Sequence, residues 1–462
     1  MSVTDPSIFK SYDIRGLYDQ QINEQNIVSI IEAIYGFFQQ SLGKTTSLTV
    51  VLGRDMRLSS PSLFAVARDT LVGMGASVID IGLVSTPTFY FSVFHYHYDC
   101  GIQITASHNP KEYNGIKFVR NSPNGLIKIG KSTGMDKIKM MVAEGFSPPQ
   151  AQGGGVTAKP DALSDEVENA LLLLHHPKIK KFKIVADTAN AMGATYIDAI
   201  FRKVQADLVR MNFELDGTFP VHQPDPLNFE NLKDLQARVL SEHADFGLAP
   251  DGDGDRLFFI DEKGAVVSAS SITAIIAREL LRDASAALIL FDIRYIFTPK
   301  KVIQESGGRS EITKVGHAFI TEQMGNTGAI FAGESSAHYF YKSTGNAESQ
   351  VVTIITILKA LTESGKTISQ LVEEVQRSYE SGEINFTIKN ATEIFDKLST
   401  RYADGELSTL DGIAISYPTW RFSVRSSNTE PLLRLNLEAT TKQEMEKKKE
   451  ELVNMIQSLS AL

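Results

Sequence analysis

A chain of 462 residues is too long for one compact core, and at roughly 100 to 150 residues per domain it divides into three or four, with clefts between them. Its 46 Lys plus Arg against 55 Asp plus Glu leave a net charge of −9 and no long basic run, which argues against a nucleic-acid partner. The single cysteine, Cys100, excludes an intramolecular disulfide framework and a thiolate metal cage; with no signal-peptide start and no long apolar run, a cytoplasmic protein without membrane contact is expected.

Three times along the chain an apolar, β-branched run ends in an acidic residue and opens into a helical stretch: LTVVLGRD to Asp55, FKIVADT around Asp187 and AALILFDIR around Asp292. After each helix comes another short strand, SVIDIG, ADLVRM or SEITKV, giving the βαβ pattern of a mostly parallel sheet covered by helices. Three similar α/β units in tandem are the simplest account. Polar or small-residue joints are expected at 147–160, 261–264 and 362–370. The last segment reads differently, with a strand in EINFTIKN, a helix near 391–402, strands in DGIAISYP, WRFSVRSS and LLRLNLEA, and a closing helix from Thr441. It is expected to be a separate α+β domain. The domains are set at 1–155, 156–262, 263–372 and 373–462.

The sharpest motif is DGDGDR, Asp251 to Arg256, between the strand-like runs FGLAP and RLFFID. Carboxylates at i, i+2 and i+4 fall on one side of an extended segment, where their repulsion is tolerated when a cation lies between them. Oxygen ligands without a nearby cysteine favour magnesium, manganese or calcium over zinc. An acidic surface turn is the competing reading. Asp251, Asp253, Asp255 and Glu262 also fit EF-hand spacing, but Arg256 stands where that loop requires glycine, and LFFI reads as a buried strand.

TASHNP, Thr105 to Pro110, follows the apolar strand CGIQI. A serine just past the end of such a strand, flanked by His108 and Asn109, is a candidate nucleophile that a nearby metal could activate, although Asn-Pro also suits a plain turn. Lys117 could carry a proton if a cation such as Arg15 depresses its pKa; otherwise it is a lysine at a strand edge. GESSAH, Gly333 to His338, offers a carboxylate, a hydroxyl and an imidazole to sugar hydroxyls. RSSNTEP, Arg425 to Pro431, offers a guanidinium, hydroxyls and successive amides to a phosphate dianion.

FKSYDIRG at 9–16, TASHNP, DGDGDR, GESSAH and RSSNTEP, in this order, resemble the α-D-phosphohexomutase superfamily and in particular its phosphomannomutase/phosphoglucomutase group. The resemblance implies an α/β fold of three tandem related domains with mixed, mostly parallel sheets, plus a C-terminal α+β domain, around a central cleft to which each domain gives one loop. It implies a phosphoserine at Ser107, Mg²⁺ on Asp251, Asp253, Asp255 and the Ser107 phosphate, and charge neutralisation and proton movement by Arg15, Lys117, His108, Arg256 and His317. Tyr12, Arg294, Glu334, Ser336 and His338 would contact the sugar phosphate; Arg425, Ser427, Asn428 and Thr429 would hold its non-reacting phosphate. The implied reaction exchanges hexose 6-phosphate and hexose 1-phosphate, mannose before glucose, through a hexose 1,6-bisphosphate intermediate and activator, in a monomer or weak homodimer. Ser335 stands where this group commonly has Met. A metal-dependent sugar phosphatase working through the same serine, and a silent sugar-phosphate sensor, are the alternatives.

Overall fold

The computed structural model describes residues 4–146, 153–388, 390–426 and 432–460, so the start of the 147–160 joint and Ser427, Asn428 and Thr429 lie outside the described residues. In each of the first three units the repeated part opens on a helix, Asn26–Leu42, Ala162–Leu173 or Ala269–Asp283. A buried strand follows, Thr49–Arg54, Phe182–Asp187 or Leu288–Asp292. Val, Ile and Leu dominate these strands because both sheet faces are covered by helices. Each ends in the expected aspartate, which turns the chain by accepting an N–H from two residues on: Arg57 N to Asp55 at 3.0 Å, Ala189 N to Asp187 at 3.0 Å and Arg294 N to Asp292 at 2.7 Å.

The second sheet runs Val266–Val267, Leu257–Ile260, Phe246–Pro250, Phe182–Asp187, Ala206–Met211; the third runs Arg309–Thr313, Leu288–Asp292, Phe331–Glu334, His338–Tyr341, Ala347–Glu348. In both, the first three strands of the unit are parallel and the fourth is antiparallel to the third. The first sheet repeats the plan with Thr49–Arg54, Ser77–Leu83, Cys100–Ile104 and antiparallel Tyr113–Arg120. To this it adds an N-terminal strand, Ile14–Leu17, on one edge and Gly155–Ala158 on the other. The sheets are therefore mixed. DEKG at 261–264 makes the turn of the Leu257–Ile260 and Val266–Val267 hairpin, with Gly264 at φ +77.

The C-terminal unit is a six-stranded antiparallel sheet covered by Ala391–Arg401 and Lys442–Ser460, and it has a core of its own around Trp420, Phe422, Leu435 and Leu452. The second and third units instead share one continuous core, in which Gln350–Ser364 packs against both Ala162–Leu173 and Ala269–Asp283. Among the described residues no helix is long and apolar enough to cross a membrane.

Candidate active site

The repeated plan delivers three polar loops to the same topological point, between the third parallel strand and its antiparallel neighbour: TASHNP in the first unit, DGDGDR in the second, GESSAH in the third. Strand C-termini converge there, as ligand sites of α/β sheets do. Ser107 adopts φ +51, a left-handed conformation that costs a non-glycine residue on the order of 1–3 kcal/mol. Arg57 holds it there. This fully buried side chain donates to the carbonyls of Ser107 (2.8 Å), Asn109 (2.6 Å), Pro110 (2.8 Å) and Tyr113 (2.9 Å), and its charge is met by Asp55 at 3.3 Å.

The DGDGDR segment is not extended. It turns back through Gly254, at φ +78, whose N–H donates to the Asp251 carbonyl at 3.2 Å, so the three carboxylates converge by a tight turn and not by strand alternation. Gly252 lets this loop lie directly on the serine loop, since a Cβ there would stand 2.3 Å from the Ser107 carbonyl oxygen. The Ser107 hydroxyl donates to Asp253 at 2.7 Å and to Asp251 at 3.3 Å, and its oxygen lies 3.2 Å from His108 Nδ1. Thr86 donates to Asp253 at 2.6 Å and fixes that carboxylate from the first unit.

Asp251, Asp253 and Asp255 bring one oxygen each within 4.8 Å of the others, all buried. Burial and the charges of Asp255 and Asp253 push the Asp251 carboxyl well above the carboxylate range, against the opposing pull of Arg256 and Lys117. Three carboxylates without a thiolate fit a hard divalent cation. Asp255, His338 and Glu348 also approach one another, but there His338 is engaged by Glu334 and Glu348 by Lys128.

Lys117 does not meet the condition for a neutral proton carrier. Burial disfavours its charge, yet Asp253 at 2.6 Å and Asp255 at 2.5 Å outweigh that and hold its pKa well above the ordinary lysine value. From Asp255 a chain of contacts crosses the cleft: His338 Nε2 at 3.2 Å, His338 Nδ1 to Glu334 at 2.7 Å, Glu334 to Arg294 at 3.4 Å, Arg294 to Glu383 at 3.9 Å and Glu383 to Arg425 at 2.9 Å. Burial opposes the His338 charge, but Asp255 and Glu334 prevail and raise its pKa to about 9. Arg294, Arg425 and Arg434 all lie within 3.9 Å of the Glu383 carboxylate at the fourth unit's edge of the cleft, with Arg294 paired with Asp292 as well, so that three guanidinium groups are grouped where a dianion could be received. The Arg425 Nε is buried and has no partner among the described residues.

Family models described as phosphoglucomutase/phosphomannomutase match the chain in four consecutive pieces: alpha/beta/alpha domain I at 6–146, domain II at 162–264, domain III at 268–379 and the C-terminal domain at 383–455. The chain belongs to the phosphoglucomutase/phosphomannomutase family. Phosphomannomutase of Methanocaldococcus jannaschii is 36% identical over 99% of each chain, and phosphomannomutase of Vibrio cholerae is 34% identical over 98% of each. A crystal structure of a phosphoglucomutase/phosphomannomutase family protein from Burkholderia thailandensis superposes with a TM-score of 0.85 at 27% identity, covering 98% of both chains. The protein is thus a phosphohexomutase, an intramolecular phosphotransferase of a metal-dependent family.

Most other residues of the family motifs gather at this cleft. Arg15, on the N-terminal strand, donates to the Asn109 side chain at 2.6 Å and pairs with Asp13 at 2.7 Å. Arg256 Nε lies 3.3 Å from His338 Nε2, and the Ser336 oxygen lies 3.1 Å from His338 Nδ1. His317 opens the helix His317–Thr327 and packs 5.2 Å from the Tyr12 ring. Burial and the ammonium groups of Lys128 and Lys117 hold His317 well below the ordinary histidine value. Ser335 presents its backbone N–H, not its side chain, to Asp292 at 2.5 Å. Reading the motifs overlooks Arg57, Thr86, the buried Lys128–Glu348 pair, Glu383 and Arg434. Arg57 had a signal: it follows Asp55 at the spacing at which Arg294 follows Asp292 in the third repeat.

Proposed function

We propose that the protein interconverts hexose 6-phosphate and hexose 1-phosphate, mannose phosphate preferred and glucose phosphate second, through phosphorylated Ser107 and a hexose 1,6-bisphosphate, as a cytoplasmic monomer or weak homodimer. The observation that carries this reading is the Ser107 hydroxyl, 2.7 Å from Asp253 and 3.3 Å from Asp251, on a turn that Arg57 pins. In the first half-reaction the bond from phosphorus to Ser107 Oγ breaks as a bond to the sugar oxygen forms, and the sugar hydroxyl's proton passes to the site while Oγ regains one. His108, 3.2 Å from Oγ, is within reach to exchange that proton. Mg²⁺ held by Asp251, Asp253, Asp255 and the Ser107 oxygen would neutralise charge on the transferring group. Lys117, kept protonated, adds a fixed positive charge beside Asp253, with Arg15 and Arg256 at the rim.

The bisphosphate must then reverse so that its other phosphate returns to Ser107. Glu334, Ser336 and His338 would read the sugar hydroxyls in either orientation, and Arg294, Arg425 and Arg434, with Ser427, Asn428 and Thr429, would hold whichever phosphate is not reacting. The relatives named phosphomannomutase support the choice of mannose. The test supplies mannose 1-phosphate or glucose 1-phosphate with Mg²⁺ and a trace of hexose 1,6-bisphosphate, and follows hexose 6-phosphate and free phosphate together. Hexose 6-phosphate without free phosphate is expected, faster from mannose; free phosphate as main product would replace the mutase reading with a phosphatase. Ser107→Ala and Asp253→Asn should each lower turnover at least about a thousand-fold with the circular dichroism unchanged.

A further inference from the structure

The first and third units also line an open pocket of about 340 Å³, at the small end of the roughly 300 to 1,000 Å³ typical of small-molecule pockets. It lies beside the helix His317–Thr327, between that helix and the segment from Arg120 to Thr133, and so is separate from the arginine cluster of the fourth unit. Two of its lining residues carry donors with nothing to bond. The Nε of Arg120 is buried without a hydrogen-bond partner, and no carboxylate stands within ion-pair distance of that guanidinium among the described residues. Burial lowers its pKa with no counter-charge to offset the loss. On the third unit's side, the Thr321 hydroxyl, 1% exposed, is likewise without a partner among the described residues. An unmade bond to a buried donor costs about 1–3 kcal/mol, so the Arg120 Nε–H and the Thr321 hydroxyl both favour an acceptor placed between them. The neighbouring Lys128 differs, because its ammonium is already paired with Glu348.

We propose that this cavity is a second ligand site, taking a small phosphorylated metabolite whose phosphate pairs with Arg120 and accepts from the Thr321 hydroxyl. A half-buried guanidinium whose inner N–H is unpaired and which faces no carboxylate among the described residues suits an anion. The donors belong to two different units, which suits a phosphate, whose oxygens point in several directions, better than a planar carboxylate. Asn124 and Asn326, exposed at the lining, can meet the hydroxyls of the remaining carbon skeleton, and the exposed Glu322 can accept from one of them. A ligand there would tie together the units that carry the Ser107 and Glu334 loops.

The test is calorimetric titration of the full-length protein, Arg120→Met and Thr321→Val with inorganic phosphate, and separately with acetate. One class of phosphate sites should weaken at least about tenfold in Arg120→Met and about threefold or more in Thr321→Val, the loss expected for one charged and one neutral hydrogen bond. Basal mutase turnover without added phosphate should stay near that of the parent in both variants, which also shows that they fold; if Arg120→Met does not fold, Thr321→Val carries the comparison. Identical phosphate isotherms in parent and variants would overturn the proposal, since all bound phosphate would then belong to the active site. Acetate binding as tightly as phosphate would overturn the assignment to phosphate.

Discussion

The second and third units share one apolar core, with Ile354, Ile355 and Leu358 of Gln350–Ser364 buried between helices of both, whereas the fourth unit meets the third through polar groups. There Glu438 accepts the N–H groups of Ile296 (2.6 Å) and Phe297 (3.2 Å), Arg421 donates to the carbonyls of Ile293 (2.8 Å) and Arg294 (3.0 Å), and Asn436 donates to the Tyr295 hydroxyl at 3.0 Å. Only a small apolar cluster, Ile293, Val315 and Ala414, accompanies these bonds. An apolar weld resists sliding because any displacement exposes area, while a set of directional bonds holds one position and can be replaced by water when it opens. The DGDGDR and Glu334 loops of the second and third units thus rest on rigid packing, and the part of the cleft that carries Arg425 rests on a latch.

The latch should show the largest single effect. Arg421→Met leaves the buried Glu438 without its ion-pair partner, a loss of about 3–5 kcal/mol, expressed as a raised KM for hexose phosphate and faster amide exchange at Ile296 and Phe297. The main unfolding transition of the second and third units should stay in place; if it shifts by the same amount, the fourth unit is not independently latched. In the weld, Ile355→Ala should cost about 3 kcal/mol and lower the denaturant midpoint of both units together. Separate transitions for the two would break the comparison. Gly252→Ala, whose new Cβ would press on the Ser107 carbonyl, should lower kcat about a hundred-fold with a smaller change in stability.

The smallest effect is expected at the junction of the first three units, where buried Glu166 accepts from Thr88 at 2.6 Å and burial raises its pKa from 4.5 to about 7. The folded state binds this proton more tightly than the unfolded state, so the stability it confers is complete below the unfolded value and declines as pH rises through the folded one. Between about pH 5.5 and about pH 8.5 the parent should lose on the order of 2 kcal/mol that Glu166→Gln does not lose, as read from urea midpoints. Equal pH slopes in the two proteins would show that the carboxyl is ionised and solvated at that junction.

Much of this architecture was written in the sequence. Asp55, Asp187 and Asp292 mark the ends of β-branched runs because a strand buried on both faces must be apolar until it emerges, and the spacing to the next run leaves room for one helix each time. The EINFTIKN, WRFSVRSS and LLRLNLEA strands of the last unit were legible from their alternation of apolar and polar residues. The Ile14–Leu17 strand was not: its four residues carry little periodicity and are held by pairing with Tyr113–Arg120. Polar loops with unusual chemistry, DGDGDR above all, could be recognised as sites one at a time, because their residue types fit no ordinary core or surface.

What tertiary structure decided is how those loops meet. Local spacing suggested that the aspartates shared one side of an extended segment, and a left-handed Gly254 instead folds them into a turn. Lys117 looked capable of losing its charge until Asp253 and Asp255, far along the chain, were found against its ammonium group. Arg57 joins distant segments of the first unit, while Thr86, the Lys128–Glu348 pair and the gathering of three arginines on Glu383 join different units. Most secondary structure follows from short-range periodicity and was legible in the sequence, Ile14–Leu17 and the DGDGDR turn apart; charge state and mutual position depend on Coulomb and hydrogen-bond contacts between residues distant in the chain, which exist only once the units have packed.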